Sequence, residues 1–362
     1  MKKALYFFQY LPPWKIDVFN GMARHYDLTA VFFDIEREGF TYDRKDLLGR
    51  LRSVGVETLS HGFKLQGHTV RFGILRLLRK YRPEVVFVHE FSSVTVSLLI
   101  WRKWFKYRLY ITTSDNLAMA ASTHGLVHQV RDYVFRHADG AIFYSSQVQD
   151  YYRKRYPALK SAVCPNIQDP GTLLCYRPQF PDIIRSRKEW LPEGTRLILY
   201  VGRLVGVKGL DLLLDAFARW NKPGFRLVLV GEGRERDALV KQAATLGIED
   251  RILFAGFSSG AELYAWYEMA DFFVLPSRYE PFGAVVNEAL VYGCPVVASR
   301  YIGALDFIDG ENGFLFDPLD GDDFVRALED ASARFTGSGP REDRMPLSFD
   351  DYVKAYMEID EK

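Results

Sequence analysis

At 362 residues the chain exceeds what one compact core ordinarily holds and suits two domains of common size. Its 48% hydrophobic and 26% charged residues exclude a disordered chain, and three cysteines without a CxxC spacing exclude a disulfide framework or a cysteine zinc site. The net charge of +1 hides a split: residues 1–170 hold 25 Lys and Arg against 15 Asp and Glu, or +10, and the rest 22 against 31, or −9, so the halves are expected to meet different partners.

The opening MKKALYFFQYLPP has an apolar run broken at Gln9 and ended by Pro12 and Pro13, which reads as a first strand rather than a secretory signal. No run approaches the roughly 20 apolar residues of a membrane span, so a soluble, cytoplasmic protein is expected. Strand-like runs follow in LTAVFF, EVVFVH, RLYITT, GAIFYS and SAVCP. Between them, Thr69 to Tyr81 reads as an amphipathic helix whose apolar stripe takes in Phe72, Leu75 and Leu78. His89-Glu90 ends one strand and Ser114-Asp115 follows another.

In WRKWFKYR, Trp101 to Arg108, cations and aromatics interleave. This suits a peripheral contact with an anionic membrane on its inner face; the plainer reading is a helix end with its rings turned to the core. Basic residues are otherwise scattered and no recognition pattern for nucleic acid is present, so none is expected as a partner.

Pro165 to Pro178, rich in proline and turn formers, falls where the charge changes sign and separates a domain of residues 1–170 from one of 171–345. The second half repeats the alternation with RLILYVG, FRLVLVG, RILFAG, DFFVLPS and PVVAS, joined by helical stretches such as KGLDLLLDAFARW. After the break FTGSGPREDRMP, residues 346–362 read as a last helix, free to cross back to the first domain. The expected fold is α/β: two doubly wound, Rossmann-like domains facing across a cleft, with ligands beyond the carboxyl ends of the strands.

Two stretches of the second half carry chemistry. Gly202-Arg203-Leu204, then Lys208-Gly209 opening a helix, combine a close backbone approach, a positive helix end and two cations, which suits a pyrophosphate. The plainer reading is a loop with two solvated cations. In Pro276 to Ser299, Glu280-Pro281-Phe282-Gly283 reads as a tight turn after a strand and AVVNEAL as a helix. Glu280 then stands beyond the strand end, Glu288 lies in the helix behind it, and the amides of Phe282, Gly283 and Ala284 face a ligand. A carboxylate grips vicinal hydroxyls, and amides beside it suit phosphate. Paired acids also serve glycosidases, but the phosphate-binding groups next to these favour transfer over hydrolysis. Gly231-Glu232-Gly233 lacks the third glycine of a dinucleotide fingerprint and reads as a strand–helix turn near the nucleotide. His124 and His128 have no acidic partner adjacent, so a metal pair is not expected.

The ordered set of Gly202-Arg203-Leu204, Lys208-Gly209, Gly231-Glu232-Gly233, ADFFVLPSRYEPFG with Glu280 and Glu288, and GENGFLF resembles the family 4 retaining glycosyltransferases of the GT-B fold. ADGAIFYS and PNIQD in the first half are similar too, so the resemblance covers nearly the whole chain. It implies a UDP- or GDP-sugar donor held by the second domain and a glycan or lipid-linked acceptor, in cell-surface polysaccharide or glycolipid synthesis. By matching position, Arg203 and Lys208 would neutralise the leaving diphosphate, Glu280 would contact the donor sugar, Glu288 the ribose, and the amides after Glu280 the phosphates. Configuration is kept through an oxocarbenium-like ion pair, with no cofactor and no catalytic metal.

The first domain departs from the pattern. A glycine-rich loop is replaced by YLPPWKIDVFN, with Pro12 and Pro13, and a histidine by Ser114-Asp115. Asp115 is the candidate for a catalytic or acceptor-hydroxyl contact, or else a helix cap. His89, Glu90, Ser114 and Pro13 form the expected acceptor side. Two other functions stay open: a nucleotide-sugar epimerase or hydrolase on this fold, and a non-catalytic, membrane-associated assembly subunit.

Overall fold

The structure is a computed structural model that describes every residue except 35–43, 66, 67, 123, 190 and 362. The chain forms two units: Met1–Gln168 together with Leu347–Lys362, and Asp169–Pro346.

In the first unit the strands are β1 (Lys2–Phe8), β2 (Tyr26–Phe32), β3 (Gly55–Thr58), β4 (Gly62–Leu65), β5 (His68–Arg71), β6 (Val85–His89), β7 (Arg108–Thr113), β8 (Gly140–Phe143) and β9 (Lys160–Val163). Seven of them build a parallel sheet in the order β3-β2-β1-β6-β7-β8-β9, and β4 with β5 forms a separate antiparallel hairpin. The strands are apolar on both faces because both faces are covered. Leu5, Phe7, Val86, Val88, Leu109 and Ile111 join one core with Leu77 and Leu98 from flanking helices. Tyr6, Phe87 and Tyr110 alternate with them and meet the other layer.

That layer includes the end of the chain. Helices Phe349–Val353 and Ala355–Glu361 are part of the first unit. Tyr356 packs its ring 5.3 Å from Phe87, and its hydroxyl lies 3.2 Å from that of Tyr6. Asp360, almost fully buried, accepts from Lys2 at 2.6 Å, from Arg108 and from the Tyr110 hydroxyl at 3.1 Å. An ion pair at such a depth needs these extra hydrogen bonds to offset its desolvation.

The second unit holds β10 (Arg196–Val201), β11 (Phe225–Val230), β12 (Ile252–Gly256), β13 (Phe272–Leu275), β14 (Val296–Ser299) and β15 (Gly313–Phe316), parallel in the order β12-β11-β10-β13-β14-β15. In both sheets the order reverses after the first strand of the unit. Connections therefore leave in opposite directions at the ends of β1 and β6, and again at the ends of β10 and β13. Such switch points leave a crevice for ligands beyond the carboxyl ends of the strands.

The structure corrects the predicted helix over Thr69–Tyr81. Its first residues belong to β5, Gly73 at φ +101° breaks the chain, and the helix runs only over Ile74–Tyr81. Phe72 is consequently no part of a buried stripe: it is 57% exposed and pairs with exposed Phe63, ring centroids 5.6 Å apart. The strands β3 and β15, four residues each, were also not marked by the strand-like runs.

Candidate active site

The switch point of the second sheet brings together the loops after β10 and β13. The first contains Arg203 and Lys208, the second Arg278 and Glu280. Lys208 Nζ donates to Glu280 Oε2, with both side chains 14% exposed. The loops are laced together around that pair. The Val207 carbonyl accepts from the amide of Arg278 at 2.9 Å, and the Arg278 guanidinium reaches the Gly206 carbonyl at 3.0 Å and both Asp211 oxygens at 2.6 Å. Hydrogen bonding to Arg278 holds the Asp211 carboxyl below its ordinary range. Arg278 and Asp211 escaped the sequence reading, although a cation two residues before Glu280 was a visible signal.

Glycine is required where these loops touch. Gly209 sits at φ +66° and a Cβ there would lie 2.2 Å from the Pro276 carbonyl oxygen; at Gly231, φ +138°, it would lie 2.0 Å from that of Gly202. The Gly231-Glu232-Gly233 turn is thus packed against the Gly202 loop, where the Glu232 carbonyl also accepts from the amide of Leu204 at 2.9 Å. Arg203 is exposed, and its carbonyl accepts from the Tyr200 hydroxyl at 2.9 Å.

Glu280 is fixed on its other side by its amide, which donates to the Tyr301 carbonyl at 3.1 Å. The buried Phe282 ring anchors the turn edge-on against Phe307, centroids 5.7 Å apart. Gly283 then starts helix Ala284–Val291 in a left-handed conformation. Among the described residues the amides of Gly283 and Ala284 find no acceptor, which leaves donors for an anion. Glu288, half-buried in this helix, accepts from the Tyr267 hydroxyl at 3.1 Å. Burial, and then Glu288 itself, push the Tyr267 phenol well above its ordinary range, so it remains a donor. The sequence-predicted groups of the second half therefore lie in the loops after β10 and β13 and in the helix that follows, with Lys208 and Glu280 brought into contact.

At the switch point of the first sheet the placement differs from expectation. Asp115 is buried: its carboxylate accepts from Tyr152 at 2.8 Å and pairs with Arg131 at 2.9 Å. It neither presents an oxygen to a ligand nor caps the next helix, where Asn116 accepts from the amide of Met119 instead. Burial, with Glu90 as a second cause, raises its pKa. His89 also turns inward, 6% exposed and stacked on Phe8 with centroids 4.1 Å apart. Burial and the charge of Lys15 drive its imidazole down to about 3, so it is neutral and no general acid at neutral pH.

Glu90 is the carboxylate left at the surface. Its side chain is 21% exposed and its backbone lies at φ +65°, unusual for a residue with a side chain. Oε1 accepts from the Ser114 amide at 2.8 Å and hydroxyl at 2.7 Å, and Oε2 from Thr113 at 3.3 Å. Pro13 begins a short 3-10 helix, Pro13–Lys15, that delivers Lys15 into the core. Among the described residues the Lys15 amine has no hydrogen-bond partner, and it lies 4.7 Å over the Tyr144 ring. Sequence patterning could not have found a lysine there, since lysines mark solvated surface almost everywhere.

Two family profiles match the chain in succession. One is described as Glycosyltransferase Family 4, over residues 22–171, and the other as Glycosyl transferases group 1, over 182–334. Similar curated proteins include the lipopolysaccharide core biosynthesis glycosyltransferase LpsE of Rhizobium meliloti, 40% identical over 38% of this chain and 40% of that one. Glycogen synthase of Mycobacterium tuberculosis is 29% identical over 73% of this chain and 63% of its own length. The match thus spans less than two thirds of each of these relatives. Among solved structures, the lipopolysaccharide outer core galactosyltransferase WaaB superposes with a TM-score of 0.73 at 21% identity, covering 99% of each chain. HepE of Anabaena in complex with UDP gives 0.71 at 21% identity, covering 99% of this chain and 98% of that one. This chain belongs to the family 4 glycosyltransferases and has the two Rossmann-like domains of the GT-B fold.

Proposed function

We propose that the protein is a retaining hexosyltransferase that moves a sugar from a UDP- or GDP-linked donor to a hydroxyl of a glycan or lipid-linked acceptor. The observation that carries this reading is the Lys208–Glu280 pair, held between laced loops beside Arg203 and the open amides of Gly283 and Ala284. A nucleoside diphosphate leaves as an anion, so its departure needs preorganised positive charge rather than a proton. Lys208, Arg203 and the amides supply that charge, each charge-assisted contact being worth about 1.5–3 kcal/mol. Glu280 accepts hydrogen bonds from hydroxyls of the donor sugar and keeps Lys208 aimed; Glu288 takes the ribose. HepE, structurally similar, has been solved with UDP and with UDP-glucose. LpsE, a relative in sequence, is named for lipopolysaccharide core synthesis, which favours a cell-surface glycan as product. No cofactor and no metal enter this reaction scheme.

Calorimetric titration with UDP and GDP tests the site. Lys208→Ala and Arg203→Ala are each expected to weaken binding roughly 10-fold or more, and Lys208→Ala to lower kcat by about 10²–10³. Unchanged affinity in Lys208→Ala would overturn the assignment. The anomeric proton coupling of the product, read by NMR, decides retention, and rapid consumption of donor without acceptor would point to a hydrolase instead.

A membrane-bound acceptor is consistent with helix Ser93–Phe105. Ile100 and Trp104, one turn apart, are 51% and 65% exposed, and the Trp101 ring lies 5.5 Å from that of Trp104. Lys103 and Lys106 are exposed beside them. Tyr107 alone turns fully inward, donating to the Leu98 carbonyl at 2.6 Å. This face is proposed to rest on an anionic bilayer.

A further inference from the structure

Helix Ala284–Val291 meets a group of stacked tyrosine rings, one of which ends at Glu288. We propose that Tyr267 is a positioning residue for the donor: its hydroxyl aims the Glu288 carboxylate at the nucleotide ribose and so sets the preference for a ribose over a deoxyribose. This rests on the reading of Glu288 as the ribose contact and adds the group that orients it.

The contact is direct. The Tyr267 hydroxyl donates to Glu288 Oε2 at 3.1 Å, from helix Gly260–Met269 to helix Ala284–Val291. A glutamate gains from such a partner, because its last torsion joins a tetrahedral to a planar carbon and is soft. Packing of the stem leaves the carboxylate plane free to turn, and a donor on one oxygen fixes it. Ala284, Val285 and Glu288, three and four residues apart, are the only part-exposed positions of this helix and share one face. Helical side chains lean towards the N-terminus, so Glu288 leans towards the end where the Gly283 and Ala284 amides are open.

The tyrosine is itself held rigid. It is wholly buried, and its ring lies parallel to that of Tyr292, with 6.2 Å between centroids and 6° between planes. Tyr292 stacks in turn on Tyr264 at 5.4 Å, and its hydroxyl donates to the Leu173 carbonyl. The end of the helix that carries Tyr267 is pinned as well. Arg341 donates to the carbonyls of Tyr267 at 2.9 Å and of Ala270 at 2.8 Å. A site side chain is held to its working geometry when the group that orients it is locked by packing and hydrogen bonds of its own.

The choice of tyrosine points the same way. Phenylalanine would fill the same space, and a buried hydroxyl is costly unless it is partnered. Here the partner is a carboxylate of the proposed donor site. Burial, then the charge of Glu288, keep the phenol protonated and therefore a donor.

Calorimetry on the full chain tests this with UDP and GDP as probes, each beside its 2′-deoxy and 3′-deoxy forms. The native chain is expected to bind the better of UDP and GDP about 10-fold or more tightly than at least one of its deoxy forms, as for loss of a hydrogen bond to a charged acceptor. Tyr267→Phe keeps the ring and its stacking. It is expected to cut that preference by about 3-fold or more, weakening the ribose form and sparing the deoxy form. A tyrosine that only filled space would affect both forms alike and leave the ratio as it was. Glu288→Ala should abolish the preference, and adding Tyr267→Phe to it should change the ratio no further, since the tyrosine acts through the glutamate. A native ratio in Tyr267→Phe, with the preference lost in Glu288→Ala, overturns the proposal alone. A native ratio in Glu288→Ala removes the ribose reading and the proposal with it, and failure of both UDP and GDP to bind the native chain removes the donor site itself.

Discussion

Lys15 shows how far a single residue can depart from its usual setting. Its amine is wholly buried and, among the described residues, makes no hydrogen bond; the faces of Tyr144 and Tyr356 partly offset the lost hydration. Burial draws its pKa from 10.5 down to about 8, so the unfolded chain binds the proton more tightly than the folded one. The contribution of Lys15 to stability is therefore most favourable above pH 10.5, falls as the pH drops towards 8, and is a constant penalty below that. Lys15→Met keeps the shape and removes the charge. It is expected to raise stability at pH 7 by about 1–3 kcal/mol and to flatten the slope between pH 8 and 10.5. Urea unfolding followed across that range checks both; a loss of stability in Lys15→Met would show the cation–ring contacts to outweigh desolvation. The same reasoning applies to Asp115, the candidate for a catalytic or acceptor-hydroxyl contact or a helix cap: buried, its charge is tolerated because Arg131 and Tyr152 meet it.

At the scale of elements, the proposed donor site is two loops that hold one another. Apart from a 3-10 turn at Gly206–Lys208 neither is regular structure, and their mutual geometry rests on Arg278 bridging Gly206 and Asp211 and on the contact of Gly209 with Pro276. Gly209→Ala puts a side chain both into a left-handed conformation, worth about 1–2 kcal/mol, and against a carbonyl with no room to move. The expected result is a lower Tm together with a loss of UDP affinity of about 10-fold or more, although Lys208 and Glu280 are untouched. Calorimetry showing native affinity would mean that the loops hold their positions without this contact. The amphipathic stretch before Tyr81 carries a related lesson. Its apolar spacing continued past Gly73, but a left-handed glycine and hairpin pairing ended the helix and left Phe72 in solvent. Local periodicity lost to a tertiary pairing it could not register.

At the scale of the molecule, the charge split of +10 against −9 separates the halves chemically. The cationic half also carries the outward-facing Ile100 and Trp104, and no helix among the described residues is long and apolar enough to cross a membrane. If this face meets a bilayer, binding should combine both contributions. Co-sedimentation with vesicles of 30% anionic lipid, a proportion of roughly the order that gives a marked surface potential, is expected to exceed that with neutral vesicles. Salt should weaken it, and the double variant Ile100→Ala and Trp104→Ala should lower it several-fold with UDP affinity kept. Equal partitioning of native and variant protein would remove this helix from the contact.

The sequence by itself determined the two α/β units and the strands long enough to show apolar runs, and it marked Lys208 and Glu280, which the loops after β10 and β13 bring together. Those residues fall in two short turns whose glycines and prolines are readable, and so local pattern reached each turn, though not their pairing 72 residues apart. Only the tertiary structure decided which acid of the first unit faces outward, because Glu90 and Asp115 are both acids after strands and differ only in what packs over them. It decided likewise that residues 355–361 complete the first unit, with Asp360 reaching Lys2 and Arg108. Partners 252 and 358 residues apart leave no mark in any local window; burial and charge pairing are properties of the packed whole.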